Sequence, residues 1–400
     1  NLQRGGVGAR LLQETPLSIQ KGMRLNTGQC IPISVITQEV VDYVRGHDLD
    51  PDRVALWMGR SNWSCGIHLY PQYIKSLLEA DGMGRVGVYV GEISHFELSP
   101  RLVVGTYFAY LFGGLLRRLG CRIRPYETRA GDTDRVTTEA LGLFVEAVQG
   151  GRPRLQTLKE VLRRFEAIPV SRGGRAGSRT PADRPPGGRP PAEERPFERP
   201  KVAIFGDLYV RDNDVMNQGL VRWIEAAGGE VVTTPYSEYM RIIAEAYFRQ
   251  WRKQGMILPL LKNKAMLAAI RLAERRYFPL YESYVSPPES YHRPEVEREL
   301  GLFNLRLELS GESYDNALKI LHQLRVHPDI SLFVQTNPAF CCPSLVTEAM
   351  THKIEELTGV PVVTLTYDGT GAPQNDLIMP YLRYPRGKRP TAAPTSSARG

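Results

Sequence analysis

Cysteine is the residue type in this chain best equipped for chemistry. Five occur in 400 residues: Cys30 in LNTGQCIP, Cys65 in SNWSCGIHLYP, Cys121 in GCRIRPY, and the adjacent Cys341 and Cys342 in NPAFCCPSLVTEAM. An odd number at such distances is not a secreted disulfide framework. A structural zinc site would show paired CxxC knuckles, and the sequence has none. Three or four thiolates without a His or Asp cluster beside them suit iron–sulfur or zinc. Three ligands would leave one iron of a four-iron cluster open to solvent or substrate. His68 and His352 read as helix-surface or packing residues rather than ligands.

The elements that must position these sulfurs follow from periodicity. VALWMGRS (54–61) reads as a buried strand, and PQYIKSLLEA (71–80) as a Pro-led helix with Ile74, Leu77 and Leu78 on one face. RVGVYVGEI (85–93) is a second strand, 101–118 an apolar helix, CRIRPY (121–126) a short strand and 134–148 another helix. Further along, KVAIFGDLYV (201–210) and EVVTTPY (230–236) read as strands around a helix at 212–229. A helical stretch at 237–276 is expected to break at Gly255 and Pro259. SLFVQTN (331–337), the helix SLVTEAMTHKIEELTG (344–359) and PVVTLTYDG (361–369) complete the pattern. Short apolar strands alternating with helices imply α/β architecture. The expectation is two Rossmann-like or flavodoxin-like domains whose parallel sheets face an interdomain cleft. Residues 1–170 hold Cys30 and Cys65, and residues 201–384 hold Cys341 and Cys342.

Placed on these elements, the cysteines share an address. Cys65 and the Cys341–Cys342 pair each follow a strand and precede a helix, the latter one that Ser344 is expected to cap. Cys30 immediately precedes the helical pattern ISVITQEVVDYV, while Cys121 has no such place. Ligands bind at the carboxyl edge of open α/β sheets. Helix N-termini favour thiolates and anionic clusters. One cysteine near a strand end is ordinarily a buried small hydrophobe, but three sites with one kind of address argue for a shared ligand. Separations of 35 and 276 residues mean that such a site must bridge both domains.

Composition narrows the partners. The chain is 42% hydrophobic and 24% charged, a globular profile, and no apolar run approaches the roughly 20 residues that span a bilayer. NLQRGGVGARLL at the start has neither an initiator Met nor an apolar signal core. A fragment or processed form, with the cytoplasm as compartment, is therefore expected. Segment 171–200 has seven Pro, five Gly, and seven Arg against four acids, and reads as a disordered linker. The tail 385–400 reads likewise, and the bases of 383–400, five with no acid, complete the formal charge of +8. The rest of the chain is neutral, so a basic nucleic-acid face is not expected.

LNTGQCIP, SNWSCGIHLYP, FVQTNPAFCCPSLVTEAM and the closing TLTYDGTGAPQND resemble the 2-hydroxyacyl-CoA dehydratase and benzoyl-CoA reductase family. The nearest likeness is to the proteins associated with CoA-substrate-specific enzyme activases. The resemblance spans roughly 20–170 and 200–384 and is sharpest at the cysteine motifs. It implies two α/β domains with a cysteine-ligated [4Fe–4S] or double-cubane cluster in the cleft between them. It further implies electrons delivered by an ATP-hydrolysing activase of the actin/Hsp70 type. An acyl-CoA substrate and a second dehydratase-like subunit are possible further partners. In such dehydratases the open iron binds substrate and one electron yields a ketyl radical, from which an unactivated hydroxyl can leave. Carried over residue by residue, the ligands are Cys30, Cys65 and one of Cys341 or Cys342. Cys341 is preferred because it stands two before Pro343, as in the family's F-C-x-P. Cys342 departs from a three-cysteine scheme and keeps a fourth ligand, hence a closed electron relay, open. Ser61, Ser64 and Asn337 flank the cysteines and either bond to cluster sulfides or only brace their loops.

Other motifs are weaker. There is neither a P-loop nor an actin-type phosphate loop, so no nucleotide site is expected. DGTG (368–371) reads as a structural loop, with Asn375 or Asp376 as the N-cap of DLIMPYL. Asp207, Asp212 and Asp214 could hold a metal, though N-capping is the expected role. Two rival functions remain: a non-catalytic electron-transfer or accessory partner of an activase, and a cluster-free two-lobed binding protein.

Overall fold

The computed structural model describes residues 8–60, 65–92, 100–171, 199–233, 247–282, 293–306 and 312–385. Most of the 171–200 segment and the tail after 385 lie outside these residues. The chain opens with α1 (Pro16–Met23), α2 (Ile31–Gly46), β1 (Ala55–Arg60), α3 (Tyr70–Ala80) and β2 (Gly87–Glu92). A helical layer comes next: α4 (Pro100–Ile123), α5 (Asp132–Gln149) and α6 (Arg154–Glu166). After it stand β3 (Lys201–Gly206), α7 (Leu208–Arg211), α8 (Leu220–Ala226), β4 (Glu230–Val232) and α9 (Ile257–Arg275). Then come α10 (Phe278–Tyr281), α11 (Arg293–Gly301), α12 (Glu312–Val326) and β5 (Ile330–Pro338). The last elements are α13 (Cys342–Ala349), α14 (Thr351–Thr358), β6 (Val362–Tyr367) and α15 (Met379–Arg383).

The fold is α/β with parallel pairing throughout the described strands. β1 pairs with β2, and a second sheet has the order β4-β3-β5-β6. Alternate residues of the larger sheet serve two cores, as a parallel sheet covered on both faces requires. Ala203, Phe205 and Phe333 face one core, whereas Val202, Ile204, Leu332 and Val334 face the other.

Helix α2 joins the two sheets. Ile31 and Val35 pack in the second core of the large sheet, while Ile33, Val40, Val41 and Val44 pack with α3. Leu56, Met58 and Val88 of β1 and β2 complete that satellite core. Each such side chain, once buried, contributes about 1.5–3 kcal/mol. The start of α2 is thereby pressed against the larger sheet. The packing also crosses the 171–200 segment, since Cys121 of α4 lies in the same core as β3 and β5.

Several expectations need correction. Residues 121–126 are not a strand but the last turn of α4 and a 3-10 turn, Arg124–Tyr126. Leu115, Leu119 and Ile123 continue one buried helical face through CRI, and a short apolar run does not reveal its period. The helix expected at 212–229 is helical only from Leu220. Asn213 Oδ1 accepts from Val215 N and Met216 N, and Gln218 and Gly219 turn left-handed. The helix at 344–359 starts two residues early and divides at Met350 into α13 and α14. Gly255 (φ +68°) does interrupt 237–276, but Pro259 sits in the first turn of α9 rather than breaking it. Residues 234–246 of that stretch lie outside the described set. No helix among the described residues is long and apolar enough to cross a membrane.

Candidate metal centre

In the larger sheet β4 lies on one side of β3 and β5 on the other, so the chain's direction of winding reverses between β3 and β5. Such a switch point opens a crevice beyond the carboxyl ends of the two strands. Gly206 ends β3 there with φ +112°, and a Cβ on it would collide with Thr336 O of β5. This close approach puts Asp207 beside the loop that carries Cys341, with Asp207 N donating to Thr336 O at 2.9 Å.

That loop is tightly held. Ala339 N donates to Tyr367 O at 3.0 Å, and Phe340 adopts φ +64°, rare for a residue with a bulky side chain. Cys341 then takes the N-cap position of α13 without using its side chain as a cap. Cys30 stands at the N-cap of α2 and Cys65 at the N-cap of the 3-10 turn Gly66–Leu69, again without side-chain capping. All three sulfurs are thus free of the usual helix-start role. Ser344, expected as a cap, is instead a buried residue of the first turn whose hydroxyl has no hydrogen-bond partner.

The three cysteines share one neighbourhood, though only Cys341 joins the tight group of ligand atoms there. Ile31 N donates to Ala339 O at 3.4 Å and ties the start of α2 to the β5–α13 loop. Cys30 lies close enough to both Cys341 and Tyr70 to disfavour negative charge on each. Cys65 is near enough to feel charge on Cys341, Glu312 and Asp207. The ligand atoms of Asp207, Glu312 and Cys341 all lie within 4.8 Å of one another. Ser313 Oγ donating to Pro343 O at 2.9 Å, and Asn316 Nδ2 to Thr347 Oγ1 at 3.2 Å, lock α12 onto α13 and set Glu312 in place.

These groups all resist negative charge. The hydrogen bond to Cys30, then burial, pushes the Cys341 thiol far up. Burial, reinforced by Glu312, Cys341 and Asp207, lifts Cys65 to about 12. Burial, then the charges of Asp207 and Cys341, holds Glu312 well above the usual carboxylate range. Burial raises Asp207 to about 6 against the opposing N–H groups of Val210 and Tyr209. Among the described residues, Asp207, Glu312 and Cys341 are the group whose ligand atoms lie close enough to share one ion, and neither Cys30 nor Cys65 belongs to it. One soft sulfur beside two carboxylate oxygens is a mixed donor set.

The remaining candidates divide plainly. Cys342 is exposed, whereas Cys341 is 4% exposed. Asn337 is buried at the end of β5 and accepts from Gln335 Nε2 at 3.0 Å, but its Nδ2 has no partner. Ser61 and Ser64 lie outside the described residues. His68 turns its Nδ1 back to Cys65 O, and His352 is exposed. Asp207 does cap α7 through Val210 N, as expected, while also facing Cys341. Asp212 instead pairs with Arg117 and Arg211, and Asp214 with Arg117. Asn375 is not a cap: it accepts from the Tyr367 hydroxyl and donates to Asn217 O and Gln218 O. Cys121 is a core residue, its thiol pushed to about 12 by burial. Glu312 and Tyr70 were missed because a lone acid or tyrosine at a helix start carries no sequence signal of its own. No family model, no curated protein and no solved structure matches the chain.

Proposed function

We propose that this chain is a cytoplasmic iron–sulfur protein that takes low-potential electrons from an ATP-hydrolysing activase and passes them to a substrate. The parallel is with the 2-hydroxyacyl-CoA dehydratases and reductases that its motifs resemble. The observation that supports the reading is that Cys30, Cys65 and Cys341, from positions 35 and 276 residues apart, come near enough at the switch point of the sheet to influence one another's charge. On this reading the β1–β2 layer and the four-stranded sheet are two Rossmann-like lobes, with α2 between them. A [4Fe–4S] or double-cubane cluster, when bound, supplies one-electron chemistry. Cys30, Cys65 and Cys341 would hold it. Tyr70, and Ser344 with its unpartnered buried hydroxyl, would be available to hydrogen-bond to its ligand sulfurs and so tune its potential. Cys341 and Glu312 are buried, and Cys30 and Cys65 half-buried. The activase, an acyl-CoA substrate and a second dehydratase-like subunit are the partners this reading requires or allows.

One observation favours a second reading. The Asp207, Glu312 and Cys341 ligand atoms span no more than 4.8 Å, and neither Cys30 nor Cys65 belongs to that group. Donors at about 2.0–2.3 Å from a single tetrahedral ion stand about 3.3–3.8 Å apart. A mononuclear thiolate–carboxylate centre therefore also fits. Anaerobic purification followed by iron, zinc and acid-labile sulfide analysis, with EPR after reduction, separates the two. Iron with sulfide in near-equal amounts is expected. Metal without sulfide would select the mononuclear centre, and a folded protein with neither would end both.

A further inference from the structure

We infer that the non-sulfur position of this centre is ligated by carboxylate, from Glu312 and Asp207, and that Cys342 is not a ligand. The inference rests on the reading that the thiol pocket binds metal.

Both acids are held for that role. Leu208 N donates to Glu312 Oε1 and Val210 N to Asp207 Oδ1, each at 2.9 Å. These backbone donors fix the orientation of each carboxylate and leave it a second oxygen to offer, the arrangement by which outer contacts orient metal ligands. Glu312 is 5% exposed, and no cation pairs with it among the described residues. A second, independent observation lies in the adjoining wall. Gln335 and Asn337 are 0% and 2% exposed, yet Gln335 Oε1 and Asn337 Nδ2 lack partners. The same Gln335 amide donates to Ser344 O, one turn along from Cys341. Buried polar atoms of this kind are normally satisfied, and the Ser344 hydroxyl, 2% exposed and beside Cys341, lacks a partner as well.

The fourth ligand decides what the centre can do. A fourth thiolate would close it and favour simple electron transfer. Carboxylate oxygen binds iron or zinc less tightly than thiolate and yields its place to an incoming oxygen ligand without loss of the metal. Ligands enter deprotonated, so loading releases thiol and carboxyl protons to solvent. A centre with three thiolates and a carboxylate can therefore admit a substrate carbonyl or hydroxyl.

Cobalt(II) alone tests this on the full chain under anaerobic conditions. Its sulfur-to-metal charge-transfer absorption counts thiolates, and its ligand-field bands report the remaining donors. Cys342→Ser should match wild type in both, whereas Cys30→Ser, Cys65→Ser and Cys341→Ser should each lose about a third of the charge-transfer intensity or all binding. Glu312→Gln and Asp207→Asn keep the backbone acceptors. Each should leave the thiolate intensity intact, shift the ligand-field bands and weaken binding about 10-fold or more. Glu312→Asp, which keeps the charge on a shorter stem, serves if the glutamine variant misfolds by circular dichroism, and should shift the same bands. A loss of thiolate intensity in Cys342→Ser overturns the inference, as do unchanged bands and affinity in both carboxylate variants. Wild type that takes up no cobalt, nor iron with sulfide, overturns the metal reading itself.

Discussion

Gly206→Ala would strike the scaffold of the site rather than its ligands. At φ +112° an added Cβ meets left-handed strain and collides with Thr336 O and Thr336 N of the neighbouring strand. The conformational part costs about 1–2 kcal/mol. Relieving the collision requires β3 and β5 to part at their carboxyl ends, which breaks the Asp207 N to Thr336 O bond and weakens the adjacent ladder. Each bond lost costs about 1 kcal/mol, giving about 2–4 kcal/mol altogether. Against a domain stability of about 5–15 kcal/mol this is large. At an m-value of about 3 kcal/mol/M the urea midpoint would fall by roughly 1 M. Gly131→Ala is the control, because Gly131 has φ +92° but an added Cβ there would meet no atom within 4 Å. It should show the conformational cost alone. Equal midpoints for the two variants would refute the claim that close strand approach, rather than backbone sign, makes Gly206 necessary.

Further outcomes rest on single contacts. Ile31→Ala, at a 0% exposed site where α2 meets the large sheet, should lower stability by about 2–5 kcal/mol in urea melts. Lys319→Met would strand Asp315 in the buried pair on α12 and cost about 3–5 kcal/mol, much of it recovered by adding Asp315→Leu. Glu39 is raised to about 7 by burial and then by the charge of Glu14. Its stabilisation is full below the ordinary carboxylate range and lost as pH rises through 7, so Glu39→Gln should flatten the fall in urea midpoint between pH 5 and 8. Burial, with Lys201 and Arg118, depresses His327 to about 4. Its contribution is full above 6.5 and lost as pH falls toward 4, so His327→Gln should flatten that acid limb in the same measurement.

What the sequence disclosed depended on how local the signal was. The strands at 55–60, 87–92, 201–206, 330–338 and 362–367 announced themselves because each is a short apolar run closed by Gly, Asp, Asn or Pro. The cysteine addresses were legible for the same reason, since strand end and helix start are read from neighbours in the chain. CRIRPY misled because six residues cannot separate a buried helical face from a strand, and only Leu115 and Leu119 upstream decide it. Glu312 was beyond reach: its role is set by Cys341 and Asp207, 29 and 105 residues away, and by the docking of α12 onto α13.

The adjacent cysteines are the clearest case of geometry choosing between equals. Cys341 is the N-cap, in extended conformation at φ −84° and ψ 109°, and Cys342 is the first residue within the helix. Successive residues of a helix point about 100° apart, so two neighbours at its start cannot both address one pocket. Phe340, held left-handed by the loop between Ala339 N and Tyr367 O, sets which of the two turns inward. With Cys341 facing Cys30 and the carboxylates, Cys342 is carried outward to solvent. A fourth sulfur ligand would require α13 to rotate about its axis, withdrawing Cys341 and breaking the Ser313 bond to Pro343. The doubled thiol therefore turns one sulfur toward the carboxylates and the other to solvent.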